Sequence, residues 1–126
     1  MVLADTNVII DYWKNPDDRM TEIFNNEDIA VCGIVEAELI HGARSEKEIE
    51  SIKDAISCFE MLSYSCNWEK LGRMLNKLRS AGVTLPFTDA MIAQIAIDFN
   101  VELLTRDNHF KLIQSVFPEL KLYPIE

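Results

Sequence analysis

Met1-Val2-Leu3-Ala4-Asp5-Thr6-Asn7-Val8-Ile9-Ile10-Asp11-Tyr12-Trp13-Lys14 opens the chain, and its pattern changes at Asp5. The apolar run ending at that acid, residues 2–5, reads as a short buried strand. Beyond it Val8, Ile9, Tyr12 and Trp13 recur at a spacing of three to four, which predicts a helix over 6–14. The same alternation continues along the chain. Asn15-Pro16-Asp17-Asp18 is a turn into a second helix over 19–25, followed by a strand over 28–33 and a helix over 34–43. Ser45 caps a charged helix reaching to about residue 57, with Glu48 three residues on as a capping box. Residues 59–64 form the next strand-like run. A long amphipathic helix over 67–81 carries Trp68, Leu71, Met74, Leu75 and Leu78 and stops at Gly82, a left-handed cap. Pro86-Phe87-Thr88 leads to a helix over 89–99 that Asn100 ends. A strand over 101–105, a short helix over 109–116 and a last strand over 120–123 complete the chain. Strands alternating with helices predict an α/β fold, a parallel central sheet flanked by helices on both faces.

Ligands of such sheets bind beyond the carboxyl ends of the strands. Asp5 and Asp107 end predicted strands, and Asp89 stands at a helix N-terminus, where the macrodipole favours negative charge. Glu38 sits about one turn inside its helix. Each acid has a plain structural explanation: Asp5 and Asp89 as helix caps or first-turn acids, Asp107 as an Asx-turn residue. Glu36 and Glu38 are about 200° apart on a helix, so only one faces a given site. Glu38 is preferred because Gly42, one turn on, leaves room for close backbone approach. Taken together the acids suggest more than caps. Gathered carboxylates repel by a few kcal/mol per close pair at an effective dielectric of about 20, and a hard divalent cation, Mg²⁺ or Mn²⁺, removes that cost.

Length and composition suit a single domain over residues 1–126, with 48% hydrophobic and 26% charged residues. No signal peptide and no stretch long enough to span a bilayer are evident, so the protein is expected in the cytoplasm with no membrane partner. The three cysteines, Cys32, Cys58 and Cys66, form no C-x-x-C and read as reduced core residues. His41 and His109 belong to no catalytic motif and read as surface or cap histidines. A net charge of −9 argues against a non-specific nucleic-acid-binding module and suits a basic protein partner. The glycines are isolated, which argues against a phosphate-binding loop or dinucleotide fingerprint, and no G-x-S-x-G elbow occurs.

Asp5-Thr6-Asn7, Glu38-Leu39-x-x-Gly42, Asp89-Ala90-x-Ile92-Ala93 and Leu104-Thr105-Arg106-Asp107-x-x-Phe110, in that order, resemble the PIN-domain ribonucleases, and among them the VapC-type toxins of toxin–antitoxin pairs. The resemblance implies a Rossmann-like PIN domain and an endoribonuclease that uses Mg²⁺ or Mn²⁺ to hydrolyse phosphodiester bonds, with transfer RNA as the family-level substrate. It makes Asp5, Glu38, Asp89 and Asp107 the catalytic quartet, with Asp5, Asp89 and Asp107 as metal ligands and Thr6 as the adjacent orienting hydroxyl. It also implies a homodimer and a small VapB-type antitoxin, DNA being reached only through that partner. Two other readings stand beside it: a receiver-like signalling domain, which would need an acidic pair at strand one and a late lysine, and a non-catalytic scaffold that binds protein. The helices over 6–14 and 19–25 carry Ile9, Ile10, Tyr12, Trp13, Met20, Ile23 and Phe24, more apolar surface than packing on a sheet requires. Either all of it is core, or the excess forms a groove for an amphipathic antitoxin segment whose arginine competes for the acid pocket.

Overall fold

A computed structural model describes residues 1–125. The elements run β1 (Val2–Ala4), α1 (Thr6–Lys14), α2 (Asp18–Asn26), β2 (Ile29–Cys32), α3 (Gly33–His41), α4 (Glu46–Ile56), β3 (Glu60–Leu62), α5 (Trp68–Ser80), α6 (Phe87–Phe99), β4 (Glu102–Leu104) and α7 (His109–Val116). The four strands form one sheet in the order β3-β2-β1-β4, parallel at every pairing. The expected α/β fold with a parallel sheet is what the chain adopts.

Burial explains which strand sits where. Every residue of β1 and β2 is buried, as a central parallel strand covered on both faces requires. Glu60 and Met61 of β3 are exposed, which suits the edge. Register places Ala4 opposite Leu104 and Leu3 opposite Ala30, so the chain leaves β1 and β4 side by side at the same end of the sheet. The strand order reverses between these two strands, and the crevice at such a switch point is where open α/β sheets bind ligands. Three small side chains account for much of how α6 fits: Ala90, Ala93 and Ala96 are buried with Ile92 and Ile95, and their small size lets the helix approach the sheet closely.

Two helix ends behave as their sequences suggest. Gly82 has φ +82°, and the Val83 and Gly82 amides donate to Leu78 and Arg79 carbonyls at 2.8 and 3.0 Å, a Schellman closure of α5. Asn100, φ 53°, does the same for α6, with Val101 donating to Ala96 at 3.1 Å. At α4 the capping box is skewed: Glu48 donates its amide to the Ser45 hydroxyl, but its carboxylate reaches the Arg44 amide.

Two expectations need correction. The last strand, over 120–123, is reduced to a single parallel bridge between Leu103 and Leu122. Pro118 and Pro124 bracket the segment and supply no N–H, and Leu120 turns into the core instead. Helix α6 starts at Phe87 rather than residue 89, because Pro86, with φ −60° and ψ 147°, already stands in the extended cap conformation. Asp89 therefore lies inside the first turn.

Candidate active site

The site grows from the β1–β4 edge. Asp5 follows β1 and is only 6% exposed. Its Oδ1 accepts the Thr6 amide at 2.8 Å, so it does cap α1, and its Oδ2 accepts the Thr105 hydroxyl at 2.9 Å. The capping explanation is thus true and incomplete, since the cap uses one oxygen and the other is held by Thr105. Burial pushes the Asp5 pKa up, the Thr105 and Thr6 hydrogen bonds oppose that, and the charges of Asp89 and Glu38 add to it. Carboxylates are therefore close enough here to feel one another.

Glu38 reaches the site through Thr6. The nearly buried Thr6 hydroxyl donates to Glu38 Oε1 at 2.9 Å, and α1 packs on α3 to bring them together. Glu38 rather than Glu36 is the acid that Thr6 holds, and Gly42 has no part in it. Gly42 ends α3 in ordinary right-handed conformation, and a Cβ there would meet only the Leu39 and Glu38 carbonyls, at 3.7 and 3.8 Å. The Thr6 hydroxyl, not space at Gly42, ties Glu38 to the neighbourhood of Asp5, although Glu38 itself is exposed. Glu36 lines a different hollow with Met61, Tyr64 and Met91.

Asp89 and Asp107 meet at a residue that motif reading passed over. His109 Nδ1 lies 2.9 Å from Asp89 Oδ2 and 3.6 Å from Asp107 Oδ1. The Asp89 hydrogen bond, then the Asp107 charge, raise the His109 pKa. Asp107 accepts the His109 amide at 2.9 Å, the Asx turn its sequence suggested. Oxygen or nitrogen atoms of Asp89, Asp107 and His109 all lie within 4.8 Å of one another. Thr105 is a second residue not singled out: it donates to Asp5 and accepts the Asp107 amide at 3.0 Å, joining two acids through one hydroxyl. The only sequence signal for His109 was its place two residues after an acid at the ligand end of the sheet.

The donor set fits a hard divalent cation. Carboxylate oxygens dominate, with one imidazole. Burial pushes the nearby Cys32 thiol pKa up, and Asp5 and Glu38 reinforce that, so no thiolate is on offer for a soft metal. Arg106, next to Asp107 in sequence, is turned away onto Asp17 and Asp11 at 2.7 and 3.3 Å.

The apolar excess on α1 and α2 is mostly used internally. Ile9, Met20 and Ile23 are buried, and Tyr12 stacks on Phe24 with centroids 4.0 Å apart and planes 7° off parallel. Trp13 and Ile10 instead line a hollow of about 390 Å³ with Leu39, Ile52 and Glu38, between α1, the end of α3 and α4.

The chain is thus an α/β protein with an acidic crevice at the switch point of a small parallel sheet. The PIN domain family model matches residues 2–115, and the chain belongs to that family. Solved structures carry the likeness further. The VapBC2 complex of Rickettsia felis, bound to a DNA fragment from its promoter, contains a chain 26% identical, with TM-score 0.79 and 98% of each chain covered. DNA-bound VapBC from Salmonella typhimurium is 25% identical with TM-score 0.81, covering 99% of this chain and 98% of that one. VapBC-1 from nontypeable Haemophilus influenzae is 25% identical with TM-score 0.80 over the same shares. A comparison with curated proteins gives no match. The resemblance to VapC-type PIN proteins drawn from the four motifs is borne out by the family match and these structures. Among the described residues no helix is long and apolar enough to cross a membrane.

Proposed function

We propose that this chain is the nuclease toxin of a VapBC-type pair: one PIN domain over residues 1–126, cytoplasmic, hydrolysing RNA phosphodiester bonds with a divalent cation, transfer RNA being the first substrate to test. The observation that carries this reading is the gathering of Asp5, Glu38, Asp89 and Asp107 from four segments at the ligand edge of the sheet. Their mutual repulsion would be a pure loss in a scaffold that only binds protein. A Mg²⁺ or Mn²⁺ ion held by Asp5, Asp89 and Asp107 would supply Lewis acidity at the phosphate and lower the pKa of the attacking water.

The protein's own part is positioning. Asp5 is fixed by the Thr6 amide and the Thr105 hydroxyl, and His109 links Asp89 to Asp107. Glu38 is held through Oε1 by Thr6, which leaves its other oxygen to take a proton from the water that attacks phosphorus. The P–O bond to the 3′-oxygen breaks opposite the incoming water, giving a 5′-phosphate and a 3′-hydroxyl. A small VapB-type antitoxin is the partner, and a homodimer the assembly. The hollow lined by Trp13, Ile10 and Ile52 supports the antitoxin, because Glu38 stands on its wall and a segment seated there would reach the acid pocket. Sequencing RNA ends after expressing the wild type and Asp5→Asn tests the reading. New 5′-phosphate ends confined to the wild type are expected; the same ends in both would refute it.

A further inference from the structure

We infer that the second half of α5, the loop after it and the start of α6 form a subsite for single-stranded RNA, in which Phe87 stacks on a base and Arg79 holds the backbone phosphate. The inference rests on the ribonuclease reading and deepens it by naming where the substrate strand lies.

Charge is the first observation. In a chain with 21 acidic residues and net charge −9, no acid lies between Glu69 and Asp89, while Lys70, Arg73, Lys77 and Arg79 all fall in that stretch. An acidic protein repels RNA over most of its surface, so a strand must approach where the sign is reversed. These four cations are not equivalent. Lys70 pairs with Asp98 and Arg73 with Glu69, and Lys77 sits 4.9 Å from the centre of the Phe117 ring. Among the described residues Arg79 makes no ion pair, which leaves it for a phosphate.

Phe87 is the second. It is the first residue of α6 and 62% exposed. Helix initiation there relies on Pro86 and has no use for an aromatic ring. Phe87 and Arg79 line the same hollow of about 370 Å³, with Asn76 and Thr84 as further polar groups. An exposed ring beside cations is the usual means of holding single-stranded nucleic acid without reading its sequence. The hollow is preformed, because the Schellman closure at Gly82 and Val83 fixes the loop that makes its floor, so little ordering entropy is lost on binding.

Position is the third. Asp89 follows Phe87 by two residues, about 3 Å along the helix axis but about 200° around it. A strand whose scissile phosphate lies in the acid pocket would have to cross the N-terminal end of α6 to lay a base, a few nucleotides away, on Phe87. The middle of the chain, which carries no catalytic motif, would then decide how the substrate is held.

The test is fluorescence anisotropy of the full-length protein with a labelled mixed-sequence single-stranded RNA, in EDTA and again in Mg²⁺, with melting temperature as the fold control. Phe87→Ala is expected to weaken binding by about 5- to 100-fold, the range of base–aromatic stacking. Phe87→Leu, which keeps the apolar bulk, should weaken it nearly as much, and Phe87→Trp should not. Arg79→Glu should weaken binding and flatten the salt dependence by about 0.7 in the slope of log K against log salt. Wild-type affinity in Phe87→Ala and Phe87→Leu overturns the subsite, and so does an unchanged salt slope together with unchanged affinity in Arg79→Glu. If Phe87 variants lose self-association or antitoxin binding and keep RNA affinity, the face serves a protein and the inference fails. RNA binding that depends on Phe87 without any cleavage by the wild type would uphold the subsite and sink the nuclease reading; cleavage with Phe87-independent binding would do the reverse.

Discussion

Replacing Asp5 with Asn separates the two roles of that side chain. The cap survives, because the Asn carbonyl still accepts the Thr6 amide that Asp5 Oδ1 holds at 2.8 Å. The other end changes. The Thr105 hydroxyl loses a charged acceptor at 2.9 Å, and a hydrogen bond to a charged group contributes about 1.5–3 kcal/mol. Against this, the substitution removes a nearly buried charge that feels Asp89 and Glu38. A like-charged pair at about 6 Å repels by roughly 3 kcal/mol at an effective dielectric of 20. The two effects nearly cancel, with relief ahead, so metal-free stability should rise by between zero and about 2 kcal/mol, or up to roughly 8 °C in Tm for a domain of this size. Activity should fall by at least about 10²-fold, since one of the carboxylates that would hold the divalent cation is gone. Thermal melts in EDTA and RNA cleavage in Mg²⁺ measure both quantities on the same preparations. The sign also follows from linkage. A raised native pKa means that Asp5 favours folding only while protonated, and that contribution is lost as pH rises through its native pKa. The wild type should therefore lose part of its margin on going from acid to neutral pH, and Asp5→Asn should lose less. A Tm drop of many degrees with activity retained would show that Asp5 is a cap and nothing more.

Four further outcomes are expected. Glu38→Gln should reduce cleavage far more than Glu36→Gln, because Thr6 turns only Glu38 into the site; the reverse order in a cleavage assay would contradict that geometry. Thr105→Val should destabilise the fold by about 2–3 kcal/mol in urea melts, since it removes a donor to Asp5 and an acceptor for the Asp107 amide together, and the loss should shrink in an Asp5→Asn background. Divalent metal at about 100 times its Kd should add about 2.7 kcal/mol, visible as a Tm rise of roughly 10 °C that EDTA reverses; no shift would argue against a folded metal site. Trp13→Ala should weaken antitoxin binding in calorimetry while leaving nuclease activity in place, and unchanged affinity would remove the α1–α3–α4 hollow from the interface.

How much of this was legible in the sequence depends on which positions are set locally. Parallel strands in one sheet deliver their C-terminal ends to a common edge, so an acid directly after an apolar run, such as Asp5 or Asp107, can be assigned to that edge without knowing the packing. Asp89 needed only its place in the first turn of α6. Glu38 was different. Its side chain is aimed by the docking of α1 on α3 and by one threonine hydroxyl, and the glycine argument that selected it had no bearing on the geometry. The last strand failed for a related reason: its apolar pattern was real, but Leu120 uses it to fill the core, and the prolines on either side prevent a ladder.

What the sequence hid were the residues that join the acids. Thr105 is one of several threonines, and nothing local marks it. Only the pairing of Ala4 with Leu104 sets its hydroxyl against Asp5 while its own chain turns Asp107 back onto it. His109 is equally silent until α6 and α7 pack and place Asp89 against its ring. The acids alone, one of them buried and all mutually repelling, would drift apart or stay protonated. Asp5, Glu38 and Asp89 are instead each tied to a neighbour from a different element, while Asp107 is held by Thr105 and His109 on either side of it in the chain. Because those ties run between elements, the site can assemble only when the β1–β4 edge, α3, α6 and α7 are all in place. A cation that binds the assembled acids should therefore stabilise the whole domain rather than one loop, and the predicted Tm shift would appear in a single cooperative transition.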